Sequence, residues 1–402
     1  MGNLPKRYQN ESASPCAHPV LHALRSLKKG VLSVTLPSGK QIYYHGSESG
    51  TRADMRINDW SALDHIATRG DVGLGEGYMT GLWDTTNLKN MLRLLAENLE
   101  AFDKTYADGS ILYKIYYAFK NKMRLNTNTG SLKNIKAHYD LGNDFYKLWL
   151  DETMTYSGAL FKGDATQSLE TAQTAKYHRI LGRLGASPGE HILEIGCGWG
   201  GFMEEAAKKG YRVTGVTLSS EQAEFARKRL EESQLAHLTE VRLQDYRDVP
   251  EKFDHVVSIG MFEHVGEEFW GTYMAKVRDT LKPGGKAMIQ SIVVRDDRFK
   301  RYRRSCDFTR EHIFPGGLLP CPSRFKAEAE HAGLKIADTF FFGSDYAITL
   351  EKWLEKFDAN LQKIKELGYG DDFIRKWRFY LSGCAATFRS GRINLMQAQL
   401  VH

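Results

Sequence analysis

The stretch HILEIGCGWGGF, residues 191–202, is an apolar run that ends on four glycines: Gly196, Gly198, Gly200 and Gly201. An apolar run followed by glycines is typical of a buried strand that turns sharply into a helix. The glycine spacing differs from the G-x-G-x-x-G pattern of dinucleotide-binding folds. The loop therefore predicts a strand–turn–helix unit whose backbone can approach a ligand closely, without identifying that ligand.

Helical and strand patterns alternate from residue 170 onward. Strands are predicted at 191–196, 211–219, 239–246, 253–260 and 286–294, the last one after a KPGG turn. A helical pattern lies between each strand and the next, except between the strands at 239–246 and 253–260. Such alternation predicts crossover connections and a mainly parallel sheet with an α/β fold.

The first third of the chain has a different pattern. Residues 30–46 alternate apolar and polar residues around a Pro-Ser-Gly turn, which predicts a hairpin. A helix, a glycine-rich break and a second helix follow, with Leu88, Met91, Leu92 and Leu95 at helical spacing. A basic, aromatic helix at 111–131 ends in a polar stretch. We predict a flexible segment 1–18, a small α+β domain 19–125 and a catalytic domain 132–402.

The composition is that of an ordinary soluble globular protein. The 402 residues are 42% hydrophobic and 26% charged, with a net charge of +6 that weakly favours an anionic partner. The five cysteines form no C-x-x-C pair, which indicates a reducing, cytoplasmic setting. We see no signal peptide and no apolar run long enough to span a bilayer, so we expect any membrane contact to be peripheral.

Polar residues follow three of the predicted strands. Glu194 could accept a hydrogen bond from an ammonium group. The second strand offers Thr217 and Gln222 but lacks the acid at its tip that a nicotinamide cofactor usually needs for its ribose. The third strand ends in three residues suited to the edge and face of an adenine, namely Gln244, Asp245 and Tyr246. Ligands bind at the carboxyl ends of parallel strands. The pattern favours a nucleoside that carries a cation, such as S-adenosylmethionine.

Several motifs in order along the chain resemble the cyclopropane-fatty-acid synthase family. They are LEIGCGWGG (193–201), VTLSSEQ (216–222), SIGMFEHVG (258–266) and FPGGLLP (314–320), preceded by AHYDLGNDFYKLWLDETMTYS (137–157). GLGEGYMTGLWD (73–84) and FYLSGCAATFR (379–389) extend the resemblance from about residue 70 to the C-terminal end. It implies a Rossmann-like class I methyltransferase with a seven-stranded, mainly parallel sheet. It also implies S-adenosylmethionine as the methyl donor and an unsaturated acyl chain as the acceptor.

The resemblance assigns roles to particular residues. Tyr139, Tyr156 and Ser157 would flank the sulfonium. Glu263 matches the carboxylate that orients a bicarbonate base, Tyr346 the tyrosine against that base, and Ile292 the residue that offers its backbone N–H. The alkene attacks the methyl group and leaves a carbocation, which loses a proton to form a cyclopropane ring.

Two positions depart from the family pattern, because Gly158 and Gln290 stand where cysteine and histidine are usual. A glutamine amide can still donate to a carbonate oxygen. Gly158 is expected to enlarge the pocket, which could admit another substrate such as a diene. A methyl-branched or methylene-bearing product therefore remains an alternative to the ring. Cys384 matches a cysteine sometimes taken as catalytic, but methyl transfer to an alkene needs no thiolate. Glu263 and His264 form no metal site without a third ligand.

The expected partners are membrane phospholipids with unsaturated acyl chains. Basic and aromatic residues at 115–124 and 295–308 suit an anionic headgroup surface. We therefore expect a cytoplasmic enzyme that is peripheral on the inner face of the membrane, with 19–125 as its lipid- and membrane-docking domain. A homodimer is a further expectation. A nucleic-acid methyltransferase is the remote alternative, but the sequence has no base-flipping motif, and no nucleic acid is expected. A lipid-binding protein without activity is the other alternative.

Overall fold

A computed structural model describes residues 17–105 and 141–402. Residues 1–16 of the predicted flexible segment lie outside this part, and a helix begins at Ala17. The predicted helix 111–131, the predicted membrane-facing stretch 115–124 and Tyr139 also lie outside the described residues.

The chain divides into two compact units. Of the described residues, the first unit contains 17–105, 305–311 and 369–390, and the second contains 141–304, 312–368 and 391–402. The residues that link the predicted domains lie outside the described part, so the predicted domain limits stay a prediction.

The strands, numbered in chain order, form one sheet in each unit. They are β1 (Lys29–Thr35), β2 (Gln41–His45), β3 (Glu48–Ile57), β4 (Trp83–Asp84), β5 (His191–Ile195), β6 (Arg212–Thr217), β7 (Thr239–Leu243), β8 (Phe253–Ile259), β9 (Leu281–Val294), β10 (Lys335–Phe341) and β11 (Ile393–Val401).

The α-helices of the described residues are numbered in the same way. They are α1 (Ala17–Ala23), α2 (Ser61–Met79), α3 (Leu88–Thr105), α4 (Asn143–Lys147), α5 (Leu169–Leu184), α6 (Gly201–Lys208), α7 (Ser220–Glu232), α8 (Phe262–Val265), α9 (Trp270–Thr280), α10 (Asp296–Tyr302), α11 (Phe308–His312), α12 (Pro322–His331), α13 (Gly343–Ala359), α14 (Leu361–Glu366) and α15 (Asp371–Arg389).

The first unit contains a four-stranded sheet in the order β2-β1-β3-β4. The predicted hairpin is confirmed, because β1 and β2 pair antiparallel across a turn in which Gly39 has a φ of +83°. The predicted glycine-rich break occurs at Gly70, where α2 is interrupted. The later glycines of that stretch remain helical. The predicted second helix is α3, in which Leu88, Met91 and Leu92 are buried and Leu95 is partly exposed.

The second unit is built on a seven-stranded sheet in the order β10-β11-β9-β8-β5-β6-β7. All its strands run parallel to one another except β11, which is antiparallel to both neighbours. The buried apolar residues form separate clusters on the two faces. The alternating sequence pattern predicts this mainly parallel sheet, and the family resemblance implies its seven strands; helices flank it on both sides.

Two features of this sheet differ from the sequence-based expectation. The predicted KPGG turn lies inside β9, where Gly284 has a φ of +80° and the register with β8 is irregular. The strands β10 and β11 were not located from the sequence. Strand β11 lies between β10 and β9 in the sheet. Its pairing with β9 places Gln397 beside Gln290.

Candidate active site

The glycine loop closes the carboxyl end of β5. Gly196 and Gly198 have φ values of +81° and +51°, in the left-handed region that favours glycine. Gly196 donates its N–H to the carbonyl of Val216 on the next strand. Helix α6 then begins at Gly201. The loop thus presents backbone groups and a helix N-terminus to the space above the strand ends.

A cavity occupies that space within the second unit. It is lined by ten of the eleven predicted cofactor-binding residues: Tyr156, Ser157, Glu194, Gly196, Gly198, Thr217, Gln222, Gln244, Asp245 and Tyr246. The eleventh, Gly200, packs against α7, because a Cβ there would lie 3.1 Å from the Cβ of Ala226. Its φ of +81° and this close approach both favour glycine at the start of α6.

Glu194 supplies a buried carboxylate to the cavity. Its side chain is 3% exposed, and its Oε2 atom has no hydrogen-bond partner among the described residues. Burial raises the pKa of Glu194, whereas the nearby Lys176 ammonium lowers it. An acceptor left unpaired in a buried site indicates a donor supplied by a ligand. The residue fits the ammonium group of S-adenosylmethionine.

Two further side chains predicted to bind the cofactor, those of Thr217 and Gln222, hold each other in place. Thr217 Oγ1 donates to Gln222 Oε1 at 3.0 Å, and Ser219 caps helix α7 by accepting from Gln222 N. Both side chains are buried. This arrangement leaves the Gln222 amide nitrogen available as a donor with a fixed orientation.

The residues predicted to meet an adenine are positioned by an arginine that the sequence did not single out. Asp245 accepts from Arg247 Nε at 2.8 Å and from Arg247 Nη2 at 2.6 Å. Burial opposes ionisation of Asp245, but the hydrogen bonds from Arg247 outweigh it and lower its pKa. Tyr246 packs edge-on against Tyr273, with 5.2 Å between ring centroids.

A buried lysine and glutamine on α5 hold the Tyr156–Ser157 segment. Lys176 Nζ donates to Ser157 Oγ and to Gln173 Oε1, both at 2.7 Å, and Gln173 Nε2 donates to the Ser157 carbonyl at 2.8 Å. Both side chains are fully buried. The sequence carried a signal that we missed: two long polar residues three positions apart, on an otherwise apolar helical face.

We expect Lys176→Met to weaken S-adenosylmethionine binding by about 10-fold. The variant removes two hydrogen bonds that position a cavity-lining segment, and each such bond contributes about 1 kcal/mol. Isothermal titration of the purified protein measures the change. Arg183→Met, at a half-exposed position on the same helix, is the matched control. Equal affinity in both variants would contradict the positioning role.

Aromatic rings surround Tyr156 at one end of the cavity. The centroids of Trp149, Trp353 and Phe314 lie 5.3, 5.4 and 6.4 Å from that of Tyr156. Tyr346 packs edge-on against Trp353. Ring faces attract cations, so this aromatic cluster can stabilise positive charge where water is excluded.

Glu263 lies at the start of α8, directly after β8. Its carboxylate accepts from Ser291 Oγ at 2.9 Å and from Ile292 N at 3.3 Å. Burial raises the pKa of Glu263 to about 7, although both hydrogen bonds favour its ionised form. The Ile292 N–H that the resemblance assigned to a base is therefore directed to Glu263. Gln290, two residues earlier, is buried, and its Nε2 has no hydrogen-bond partner in the described part of the chain.

The expectation that Gly158 enlarges the pocket is wrong. A Cβ at this position would lie 2.6 Å from Leu395 Cδ2 and 2.7 Å from Tyr346 Cγ. The ring of Tyr346 occupies the space beside the glycine. Gly158 therefore permits the tyrosine to pack closely, and the pocket gains no volume from the missing side chain.

The remaining candidates have mainly structural surroundings. His264 lines the cavity beside Phe314, and burial lowers its pKa to about 4, so its ring is neutral. The described residues contain no cluster suited to a metal ion. Cys384 lies on α15 in the first unit, 3.8 Å from Thr309 Oγ1, and burial raises its thiol pKa to about 12. A catalytic role for Cys384 stays a prediction.

Comparison with known proteins identifies the family. The model described as mycolic acid cyclopropane synthetase matches residues 126–398. The chain belongs to this family. It is 36% identical to tuberculostearic acid methyltransferase UfaA1 of Mycobacterium tuberculosis, over 90% of this chain and 87% of that protein. It is also 36% identical to the cyclopropane-fatty-acyl-phospholipid synthase of Escherichia coli K12, over 86% and 87% of the two chains.

A solved structure of the family agrees with this fold. The mycolic acid cyclopropane synthase CmaA1, crystallised with S-adenosylhomocysteine and CTAB, is 33% identical with a TM-score of 0.63. The match covers 67% of this chain and 97% of that one. Our protein is thus an S-adenosylmethionine-dependent methyltransferase with the class I fold, and it alkylates unsaturated acyl chains. The prediction of family, fold and enzyme class is confirmed.

Proposed function

We propose that the enzyme forms a cyclopropane ring on unsaturated acyl chains of membrane phospholipids, with S-adenosylmethionine as the methyl donor. The observation that carries this proposal is the buried Glu263 carboxylate, which accepts from Ser291 and Ile292, the two residues that follow Gln290 and its unpartnered amide nitrogen in β9. A carboxylate and a donor at the end of the sheet, next to the cofactor cavity, suit the removal of a proton after methyl transfer.

The chemistry sets three tasks for the residues. The alkene carbons attack the methyl group, so one carbon–carbon bond forms, the carbon–sulfur bond breaks and a positive charge appears on the acyl chain. The aromatic cluster around Tyr156 stabilises that charge and excludes water that would quench it. A base then removes a proton from the new methyl group, and the freed electron pair closes the ring.

Bicarbonate fits as the base. Gln290 Nε2 is a buried donor without an acceptor among the described residues, which an oxyanion would satisfy. We propose that Gln290 and Glu263 hold it and that Tyr346 packs against it. When bound, the anion supplies an acceptor for the proton. Gln290 thus takes the place of the usual histidine as a donor.

A second product class has support of its own. The relative UfaA1 is named a methyltransferase, at the same identity as the named cyclopropane synthase. The close packing of Tyr346 against Gly158 also differs from a pocket built around a cysteine. Loss of a proton from a neighbouring chain carbon would leave an unsaturated methyl-branched chain, whereas a 1,2-hydride shift followed by loss of a proton from the methyl group would leave a methylene-bearing chain.

The deciding experiment uses a donor with a fully deuterated methyl group and vesicles of unsaturated phospholipid. Mass spectrometry of the fatty acids follows the deuterium. Two deuteriums in a product that resists mild hydrogenation establish the ring. Two deuteriums in a product that takes up hydrogen indicate a methylene group, and three indicate a methyl branch. Without any product on phospholipid, the substrate proposal fails, and other unsaturated acyl lipids become the next substrates.

The rate should rise with pH through about 7. A carboxylate is ionised above its pKa, which burial raises to about 7 for Glu263. Only the ionised carboxylate carries the charge that orients the base. Ser291→Ala removes a hydrogen bond that favours ionised Glu263 and so raises the pKa of that carboxyl. The rise of the rate with pH should therefore occur at higher pH in this variant. Rates at saturating donor from pH 5.5 to 8.5 test this. An unmoved limb would assign the titration to another group, such as bicarbonate itself.

We further propose that the enzyme acts as a peripheral protein on the inner face of the membrane and that it can pair as a homodimer. None of the described helices is long and apolar enough to cross a bilayer. The predicted basic stretch 295–308 includes α10, whose Phe299 packs into the core. Arg295 pairs with Asp297 and Arg303 with Glu267, so only part of its charge is available to phosphates.

Reversing two exposed charges in this stretch should weaken binding to anionic vesicles. Lys300→Glu with Arg304→Glu removes two basic groups, each worth about 1 kcal/mol near an anionic surface. Co-sedimentation with phosphatidylglycerol vesicles measures the change. The control is Lys228→Glu with Lys252→Glu, an equal charge change at exposed positions elsewhere. An equal loss in both pairs would show that net charge alone governs binding.

A further inference from the structure

A chain of buried hydrogen bonds runs from an arginine on α5 to Gln290. Arg179 Nη1 donates to Gln397 Oε1 at 2.7 Å, and Gln397 Nε2 donates to Gln290 Oε1 at 3.0 Å. Gln397 and Gln290 are each 1% exposed. The guanidinium of Arg179 is itself held by Asp338 and lies over the ring of Phe340.

The arginine determines which way both amides face. A guanidinium can only donate, so the oxygen of Gln397 must face Arg179 and its nitrogen must face Gln290. The oxygen of Gln290 must then accept this bond, and its nitrogen is turned away from Gln397. The chain therefore ends in a donor, Gln290 Nε2, which is the buried nitrogen that lacks a partner among the described residues.

Gln290 is on the same face of the sheet as a residue that lines the cofactor cavity. Gln397 is paired with Gln290 across β11 and β9, and Gln290 is paired with Ile259 across β9 and β8. Side chains of paired residues lie on the same face, and Ile259 lines the cofactor cavity. Two residues further along β9, the backbone N–H of Ile292 donates to Glu263.

We propose that Arg179 and Gln397 are positioning residues that fix the amide of Gln290 with its NH₂ group toward the oxyanion base. This inference rests on the proposed function, in which that base is bicarbonate. A cation at the far end polarises the chain and makes the terminal N–H a stronger donor to an anion. The arginine acts through two amides and touches neither substrate nor base.

The sharpest test reverses the direction of the hydrogen bonds between residue 397 and Gln290. In Gln397→Glu, the introduced carboxylate accepts from Arg179 and can only accept from Gln290, so the Gln290 amide must turn over and present its oxygen to the base. Arg179→Met removes the directing group, and both amide orientations then become allowed. Gln399→Glu is the matched control, because it makes the same change two residues along the same strand, where Gln399 bonds the backbone of Arg183.

The readout is binding of [¹³C]bicarbonate to the full-length protein loaded with S-adenosylhomocysteine, followed by ¹³C line broadening. We expect Gln397→Glu to raise the bicarbonate Kd by about 10- to 100-fold, the effect of losing a hydrogen bond to a charged group. Arg179→Met should raise it less, and Gln399→Glu should leave it unchanged. The affinity for S-adenosylhomocysteine, measured by titration, should stay the same in all variants and shows that the cofactor cavity remains folded.

Two failures can be told apart. If the unaltered protein binds bicarbonate and Gln397→Glu binds it equally well, the positioning role is overturned while the proposed base stands. If the unaltered protein binds no bicarbonate but still alkylates lipid, bicarbonate is not the base. Both that part of the proposed function and this inference are then overturned.

Discussion

Replacing Glu263 with glutamine will lower the rate of product formation by about 10²- to 10⁴-fold, the range expected when a group that handles proton transfer is lost. The neutral amide keeps the shape of the carboxylate but carries no charge to orient a base. Ile292 N can still donate to the amide oxygen, and the Ser291 hydroxyl can accept as well as donate. The fold should therefore persist.

The measurement is the initial rate on phospholipid vesicles together with the S-adenosylmethionine affinity from titration. The affinity should be unchanged, because Glu263 is not among the residues that line the cofactor cavity. Glu268→Gln is the matched control, with the same loss of charge at an exposed position five residues later. A parallel loss of cofactor binding would mean that Glu263 serves the cofactor cavity instead of the base site.

Replacing Gly158 with cysteine will lower the rate by about 10²-fold, because a displacement near 1 Å at a reacting centre has an effect of this size. The new Cβ would lie under 3.0 Å from both Leu395 and Tyr346, so at least one of these side chains must move. Overpacking of this kind also lowers the free energy of unfolding by about 1–3 kcal/mol. The family's usual residue is thus expected to harm this enzyme when introduced alone.

Rates and thermal midpoints of Gly158→Cys and Gly158→Ala test the steric explanation. Both variants introduce the same Cβ, so both should lose activity, whereas a role of the thiol would separate them. Gly182→Ala is the control, since a Cβ there meets no atom within 4 Å. A fully active Gly158→Cys would show that Tyr346 can shift without consequence.

The cofactor cavity was largely predictable from the sequence because its residues are close to strand ends in the chain. The loop at 196–200 and the polar residues after β6 and β7 follow directly from short motifs, and parallel strands bring their carboxyl ends to one edge. Ten of the eleven predicted residues line the cavity for that reason. Gly200 differs because it packs against Ala226 of helix α7 and does not line the cavity.

The supporting residues were harder to predict because their partners are distant in the chain. Lys176 bonds Ser157, and Arg179 bonds Gln397, 218 positions away. A single polar residue on an apolar helical face does not show which strand it meets. The two strands that complete the sheet were not located either, although β11 contributes the Gln397 that contacts Gln290.

The sequence by itself determined the α/β fold, the family and most of the residues that line the cavity, because local periodicity and contiguous motifs encode them. Only the tertiary structure decided what Gly158 does and which way Gln290 points. Both depend on β11 and on α13 or α5, elements far apart in the chain that packing brings to one place. Contact distances and amide orientations arise from that packing, and no local pattern records them.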